Sequence, residues 1–497
     1  MSAYQELENL NREITQLKEI RAIMGWDEAC MMPAAAGDRR GEALASLQSV
    51  VHERAINPRI GELLEQAQGS NEPLDDWQRA NLREMQRDWI EATAVPSDLV
   101  RALAVATSRC EQTWREARAA NDWATVRPLL ETVVGLSRSR ADALADKLGL
   151  ERYDALLDGY EPQLRSADVS RVFDDLKGFL LPLIDPIIEA TPACLPIPGP
   201  FSTERQRNLC EATMKLLGFD FSRGRLDVSH HPFCGGVPDD TRITTRYRDD
   251  VFLESFMAIC HETGHALYQQ GLPAAWRDQP VGDALGAAVH ESQSLLMELQ
   301  VCRSPQFITA VTPLIQAQFG ISDDDPAWTA DNLYRQATRV SRSFIRVQAD
   351  EVTYPLHVIL RYELERDLLD GRIGVADLPE AWDSMMQRYL NLSTEGDFAN
   401  GCMQDVHWYA GLFGYFPTYS LGALMAAQWF AAARTADPTI MEGIERGNLT
   451  ALLTWLRANV HGQGRRLTMQ PLLESVTGSV LDARFFKQHI QARYLPS

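Results

Sequence analysis

Between residues 3 and 24, Leu7, Leu10, Ile14, Leu17 and Ile20 recur at spacings of three and four, with charged residues on the other face. This is the stripe of an amphipathic helix, and similar stripes run through much of the chain. Strand signals are few: Leu226 to Ser229 and Thr241 to Tyr247 (TRITTRY) are the best candidates, β-branched and close to turn residues. The pattern predicts a mainly α fold with a small β element. The segment Thr191 to Ser202 (TPACLPIPGPFS) cannot continue a helix. It is expected to separate an N-terminal helical subdomain, 1–200, from a catalytic helical subdomain, 201–497, within one integrated unit. The longest apolar stretch, Gly411 to Ala433, contains Pro417 and Gln428, which favours a buried helix over a membrane span.

With 497 residues, 45% hydrophobic and 23% charged, the chain can bury a substantial core. Its net charge is −20, and its basic residues stand singly or in pairs such as Arg39-Arg40 and Arg465-Arg466. No stripe exists to neutralise phosphates, so a nucleic acid partner is not expected. The eight cysteines form no CxxC pair, and the first residues read as a polar helix rather than a signal peptide. A cytoplasmic location is expected, with no membrane role. Seven of ten histidines lie between positions 230 and 407, so the chemistry is expected in that interval.

There the segment Ile259 to Gln270 (ICHETGHALYQQ) contains HETGH. On a helix, positions i and i+4 share a face, so His261 and His265 can present imidazoles to one ion with Glu262 beside the attacking water as general base. Gly264 costs up to about 1 kcal/mol relative to alanine inside a helix, which predicts a close neighbour there. The helix is expected to end at Gly271-Leu272-Pro273. A second helix is expected from near Asp283, as its cap, through Gln300, carrying His290, Glu291 and Glu298. Glu291 is the carboxylate best placed to complete a His-His-Glu set. Such a site hydrolyses amides. Acting on C-terminal residues also needs a cation for the terminal carboxylate, for which Arg346, Arg242, Arg246 and Arg342 are candidates.

These residues resemble the Taq-type thermostable carboxypeptidases, a family of zinc carboxypeptidases. The motifs occur in order: His231-Pro232-Phe233, Asp240 to Thr244 (DTRIT), HETGH, His290 to Gln293 (HESQ), Arg346 to Asp350 (RVQAD) and Gly401 to Trp408 (GCMQDVHW). The resemblance extends from Trp26-Asp27 and Met32-Pro33 through Gly414 to Gly422 (GYFPTYSLG). It implies a helical gluzincin with a deep active-site groove, commonly homodimeric. It also implies one zinc ion per subunit, which cobalt can replace, on His261, His265 and Glu291, with Glu262 catalytic. Arg346 then looks like the carboxylate-recognition residue, and His407 and Tyr419 like groups that stabilise the oxyanion or hold the peptide. His231, Asp240, Arg242 and Gln404 fall in motifs implied to line the cleft. Leu295 and Cys302 depart from the arginine and glycine common at those places. The expected activity is release of amino acids from the C-terminus of peptides, with broad specificity. The alternatives are an oligopeptidase cutting internal bonds and a catalytically idle peptide-binding scaffold.

Overall fold

Ser2 starts the first helix: its hydroxyl accepts from the Gln5 N–H while the Gln5 side chain accepts from the Ser2 N–H, satisfying two free donors reciprocally. In the computed structural model, which describes residues 1–322 and 324–495, nine helices precede the proline-rich segment. They are α1 (Ala3–Cys30), α2 (Gly37–Ala55), α3 (Pro58–Gln68), α4 (Asp76–Ala94), α5 (Ser97–Ala119), α6 (Trp123–Leu148), α7 (Arg152–Tyr160), α8 (Ser166–Leu180) and α9 (Ile184–Ala190). Then follow α10 (Thr203–Leu217), strands β1 (Gly224–Val228), β2 (Phe233–Val237) and β3 (Asp240–Thr245), α11 (Phe252–Gly271) and α12 (Ala287–Leu295). The rest is helical: α13 (Pro305–Phe319), α14 (Ala330–Ala337), α15 (Tyr354–Asp370), α16 (Leu378–Leu390), α17 (Pro417–Ala436), α18 (Thr439–Glu445), α19 (Thr450–Asn459), α20 (Met469–Thr477) and α21 (Arg484–Tyr494).

The stripe of α1 packs Leu7 and Ile14 against Leu63 of α3 and Met85 of α4 in a small core of its own. The main core joins Phe173 and Ile187, before the proline-rich segment, to Phe252, Leu360 and Trp429 after it, so both sides share one interior. A third cluster sets Ile243 of β3 on Ile259 and Ala266 of α11. The sheet runs β1-β3-β2, with β1 parallel and β2 antiparallel to β3. No described helix is long and apolar enough to cross a membrane, and the apolar run ahead of Ala433 lies largely in α17, which is mostly buried.

Three local expectations need correction. A third strand, β2, was not among the candidates: its sequence, FCGGV, holds two glycines and no apolar alternation. The expected helix from Asp283 begins only at Ala287 and passes at Leu296–Cys302 into a π-helical turn. Asp283 is therefore no cap of that helix; its carboxylate instead pairs with Arg465 at 3.0 Å.

Candidate active site

The apolar face of α11, with Phe256, Ile259, Cys260 and Leu267 fully or almost fully buried, fixes the helix so that His261 and His265 project together from another side. Gly264 lies where α11 meets α12. A Cβ there would stand 2.5 Å from the Gln293 carbonyl oxygen and 2.6 Å from Ser294 Cα. On the far side of α12, a Cβ at Gly422 of α17 would meet Glu291 Cγ at 2.7 Å. Two glycines thus let three helices approach closely and bring Glu291 to the histidines.

Glu291 Oε2 stands 3.3 Å from His265 Nε2 and 3.8 Å from His261 Nε2, and the ligand atoms of the three all lie within 4.8 Å of one another. Donors held by a tetrahedral zinc ion are roughly 3.4 Å apart, so this set fits a divalent metal. Both imidazoles are oriented from behind. His261 Nδ1 donates to Glu298 at 2.9 Å, and Glu298 also takes Arg303 at 2.7 Å. Burial works against the charge on Glu298, yet Arg303 and His261 hold its carboxyl down to about 2. His265 Nδ1 lies 2.6 Å from His290 Nδ1. Burial holds His290 neutral, well below the usual histidine range. Ligation of an ion through Nε2 would put the His265 proton on Nδ1, directed at His290. Glu262 is only 8% exposed; burial pushes its carboxyl up, with the two histidines opposing.

A second charged group stands at Arg346. Its Nε and Nη2 donate to Asp405 at 3.0 and 2.8 Å, and Nη1 donates to the Tyr354 hydroxyl at 2.7 Å. Arg361, with no exposure, donates to the other Asp405 oxygen at 2.6 Å. Two guanidiniums share one carboxylate, which leaves one positive charge in a nearly dry setting. The Arg346 guanidinium carbon lies 4.7 Å from the centre of the Tyr419 ring. Tyr419 is three residues before Gly422 on α17, so it shares the helix face that touches Glu291. His407 Nε2 is 3.0 Å from the Tyr419 hydroxyl; burial, then Arg346, bring the His407 pKa down to about 3, so the ring is neutral.

The profile of the carboxypeptidase Taq (M32) metallopeptidases matches residues 6–494. The chain belongs to the carboxypeptidase Taq (M32) metallopeptidase family. This M32 peptidase is 38% identical to thermostable carboxypeptidase 1 of Thermus thermophilus, over 99% of its own length and 98% of the relative's. It is 30% identical to carboxypeptidase 1 of Bacillus subtilis, over 98% and 97%. Among solved structures, Trypanosoma cruzi metallocarboxypeptidase 1 superposes with a TM-score of 0.97 at 39% identity, covering 99% of each chain. The Pyrococcus furiosus carboxypeptidase superposes at 0.95 and 31% identity, covering 100% and 99%.

Other expected site residues of the M32 peptidase fall in three settings. His231 precedes β2; desolvation first, then His230, Arg246 and Arg346, lower its pKa. Burial and the nearby Glu262 charge raise the thiol of Cys234, which puts β2 beside the HETGH helix. Asp240 and Arg242 lie on the face of β3 opposite Ile243. They pair with each other at 2.6 and 2.9 Å, and Arg242 stacks 4.1 Å from the Trp26 ring of α1. Gln404 is engaged at both ends of its amide: it accepts from the Arg346 N–H and donates to the Phe344 and Asn400 carbonyls. Its contacts brace the Arg346 segment. Arg246 and Arg342 are paired with Glu254 and Asp185.

Sequence reasoning did not single out Asp405, Arg361, Tyr354 or Arg303. Asp405 was visible inside GCMQDVHW as an acid in a motif that needs a counter-charge for arginine. Arg361 had no local signal, because its partner Asp405 is 44 positions away; Arg303 lies only five residues from Glu298, but no pattern marked the pair.

Proposed function

We propose that this M32 metallocarboxypeptidase is a zinc enzyme that removes amino acids one at a time from the C-termini of peptides, with His261, His265 and Glu291 holding the ion. The observation that carries the C-terminal preference is the Arg346–Asp405–Arg361 group, whose surplus positive charge suits a terminal carboxylate. The O–H of Tyr354, which accepts from Arg346, is free to donate onward to that carboxylate. A bound divalent ion supplies Lewis acidity and lowers the pKa of water to about 7. Glu262 takes the proton of the attacking water and returns it to the leaving amine. Tyr419, held against neutral His407, is the donor for the developing oxyanion. Family likeness supports a homodimer, and the dispersed cysteines support a reducing, cytoplasmic setting.

The test is mass spectrometry of an N-acetylated peptide with a free C-terminus, beside its C-terminally amidated twin, after incubation with the zinc-loaded enzyme. A ladder of single residues lost from the free form, with the twin resistant, is the expected result. Equal internal cleavage of both peptides would overturn it in favour of an oligopeptidase. No cleavage of either would favour the idle scaffold.

A further inference from the structure

The helix that brings Glu291 to the site has no cap of its own. Residue 286, at the cap position of α12, is glycine, and no side chain there accepts from the first-turn amides. The acceptor comes instead from the end of α7, 127 residues earlier in the chain: Glu161 Oε2 accepts from Ala288 N–H at 3.0 Å and Val289 N–H at 3.3 Å. Glu161 has no exposure, and its second oxygen, Oε1, has no partner among the described residues. Glycine at 286 is what admits it, because a Cβ there would lie 2.3 to 2.5 Å from the Glu161 carboxyl atoms. Burial pushes the Glu161 pKa up to about 7, while the two amides pull it down.

We infer that Glu161 is a positioning residue for the metal site, setting the place of Glu291 by capping the first turn of α12. This rests on the reading of Glu291 as a ligand. The first turns of α12 carry both His290, which orients His265, and Glu291. A helix of nine residues holds little stability of its own, so its start is fixed by what its free amides bind. Glu161 touches neither the ion nor the peptide and acts through the helix. Its neighbour Tyr160 packs edge-on against Tyr415 at 5.1 Å, so the end of α7 braces α12 and the 415–419 segment together.

The reach of the acceptor, not its charge, is what the cap requires. Glu161→Gln keeps an oxygen at the amides, with its NH2 in the unpartnered Oε1 position. Glu161→Asp keeps the charge but falls short by one methylene. Both variants, with Glu161→Ala, are compared in the full chain by zinc affinity under chelator competition and by hydrogen exchange of residues 286–296. The expected result is that Glu161→Gln stays within about 3-fold of the parent in zinc affinity. Glu161→Asp and Glu161→Ala should lose about 10- to 100-fold, the range for residues that orient metal ligands, with faster exchange at Ala288 and Val289. Parent-like zinc affinity in Glu161→Asp despite faster exchange would overturn the inference, as would equal losses in Asp and Gln. Glu291→Gln is the separate control: unchanged zinc affinity there would remove Glu291 from the ligand set and fail the site reading itself.

Discussion

Glu298 would act on a bound ion through His261, whose Nδ1–H it accepts at 2.9 Å while Arg303 holds its other oxygen. Removing it frees the imidazole to rotate and lowers its basicity. Glu298→Ala is therefore expected to weaken zinc binding by about 10- to 100-fold, read by chelator competition, with turnover recovering at saturating zinc. Glu262 behaves oppositely, being no ligand. Glu262→Gln should keep zinc affinity and lose about 100- to 10,000-fold in kcat. A variant that turns over normally would remove Glu262 as the base. The pairing of His261 with His265 was legible in the sequence because helical spacing alone puts them on one side. Glu298 was legible only as a residue of the second helix, without a role. Arg361 and Glu161 were not legible, since each acts on a residue 44 to 127 positions away and no periodicity encodes a partner at that range.

Close contact among α11, α12 and α17 is what gathers the candidate metal ligands. The Gly264 expectation, a near neighbour paid for by helix propensity, finds its cause in the α12 backbone at 2.5 Å. Gly264→Ala cannot be absorbed by a side-chain shift, because the atoms it meets are main-chain. It should cost roughly 1–3 kcal/mol of stability as an overpacked site and also weaken zinc binding, since the intruding methyl pushes Gln293 and Ser294 away from the histidines. Thermal unfolding and chelator competition on the same variant check both effects. Elements with a strong period, α1, α11, β1 and β3, were readable from the chain. The strand β2 was not, because pairing with β3 rather than side-chain pattern makes FCGGV extended. The start of α12 was misplaced by three residues, its cap position being Gly286 rather than Asp283, because the acceptor comes from Glu161 after α7 rather than from a local Asp or Ser.

Across the whole molecule, buried carboxylates tie distant segments together, and their titration sets how stability follows pH. Glu351, beside the RVQAD motif, is 5% exposed and accepts from His489, Arg493 and Tyr494 of α21 at 2.6 to 2.8 Å. Burial opposes its charge, but Arg493 and His489 hold its pKa far below the usual carboxylate range. Its contribution is present above the unfolded value of 4.5 and is lost as pH falls toward the folded one. Glu351→Ala leaves Arg493 buried without its partner and should cost about 3–5 kcal/mol, with α21 the first helix to lose exchange protection.

Glu161 runs the other way. Its folded pKa, about 7, lies above the ordinary carboxyl value of 4.5, so its stabilising contribution is complete below about 4.5 and is lost as pH rises through 7. Glu161→Gln does not titrate and copies the protonated form, an amide NH2 replacing the proton on Oε1. The stability of the variant relative to the parent should therefore rise between about pH 5 and about pH 8, the range in which the parent carboxyl is forced to ionise without water. Urea unfolding of the two metal-free proteins across that range measures the difference directly, because every other titrating group is common to both. A difference that stays flat with pH would mean Glu161 is ionised throughout, held by the helix amides and by Arg87 and Arg465. The cap would then depend on charge as well as on reach.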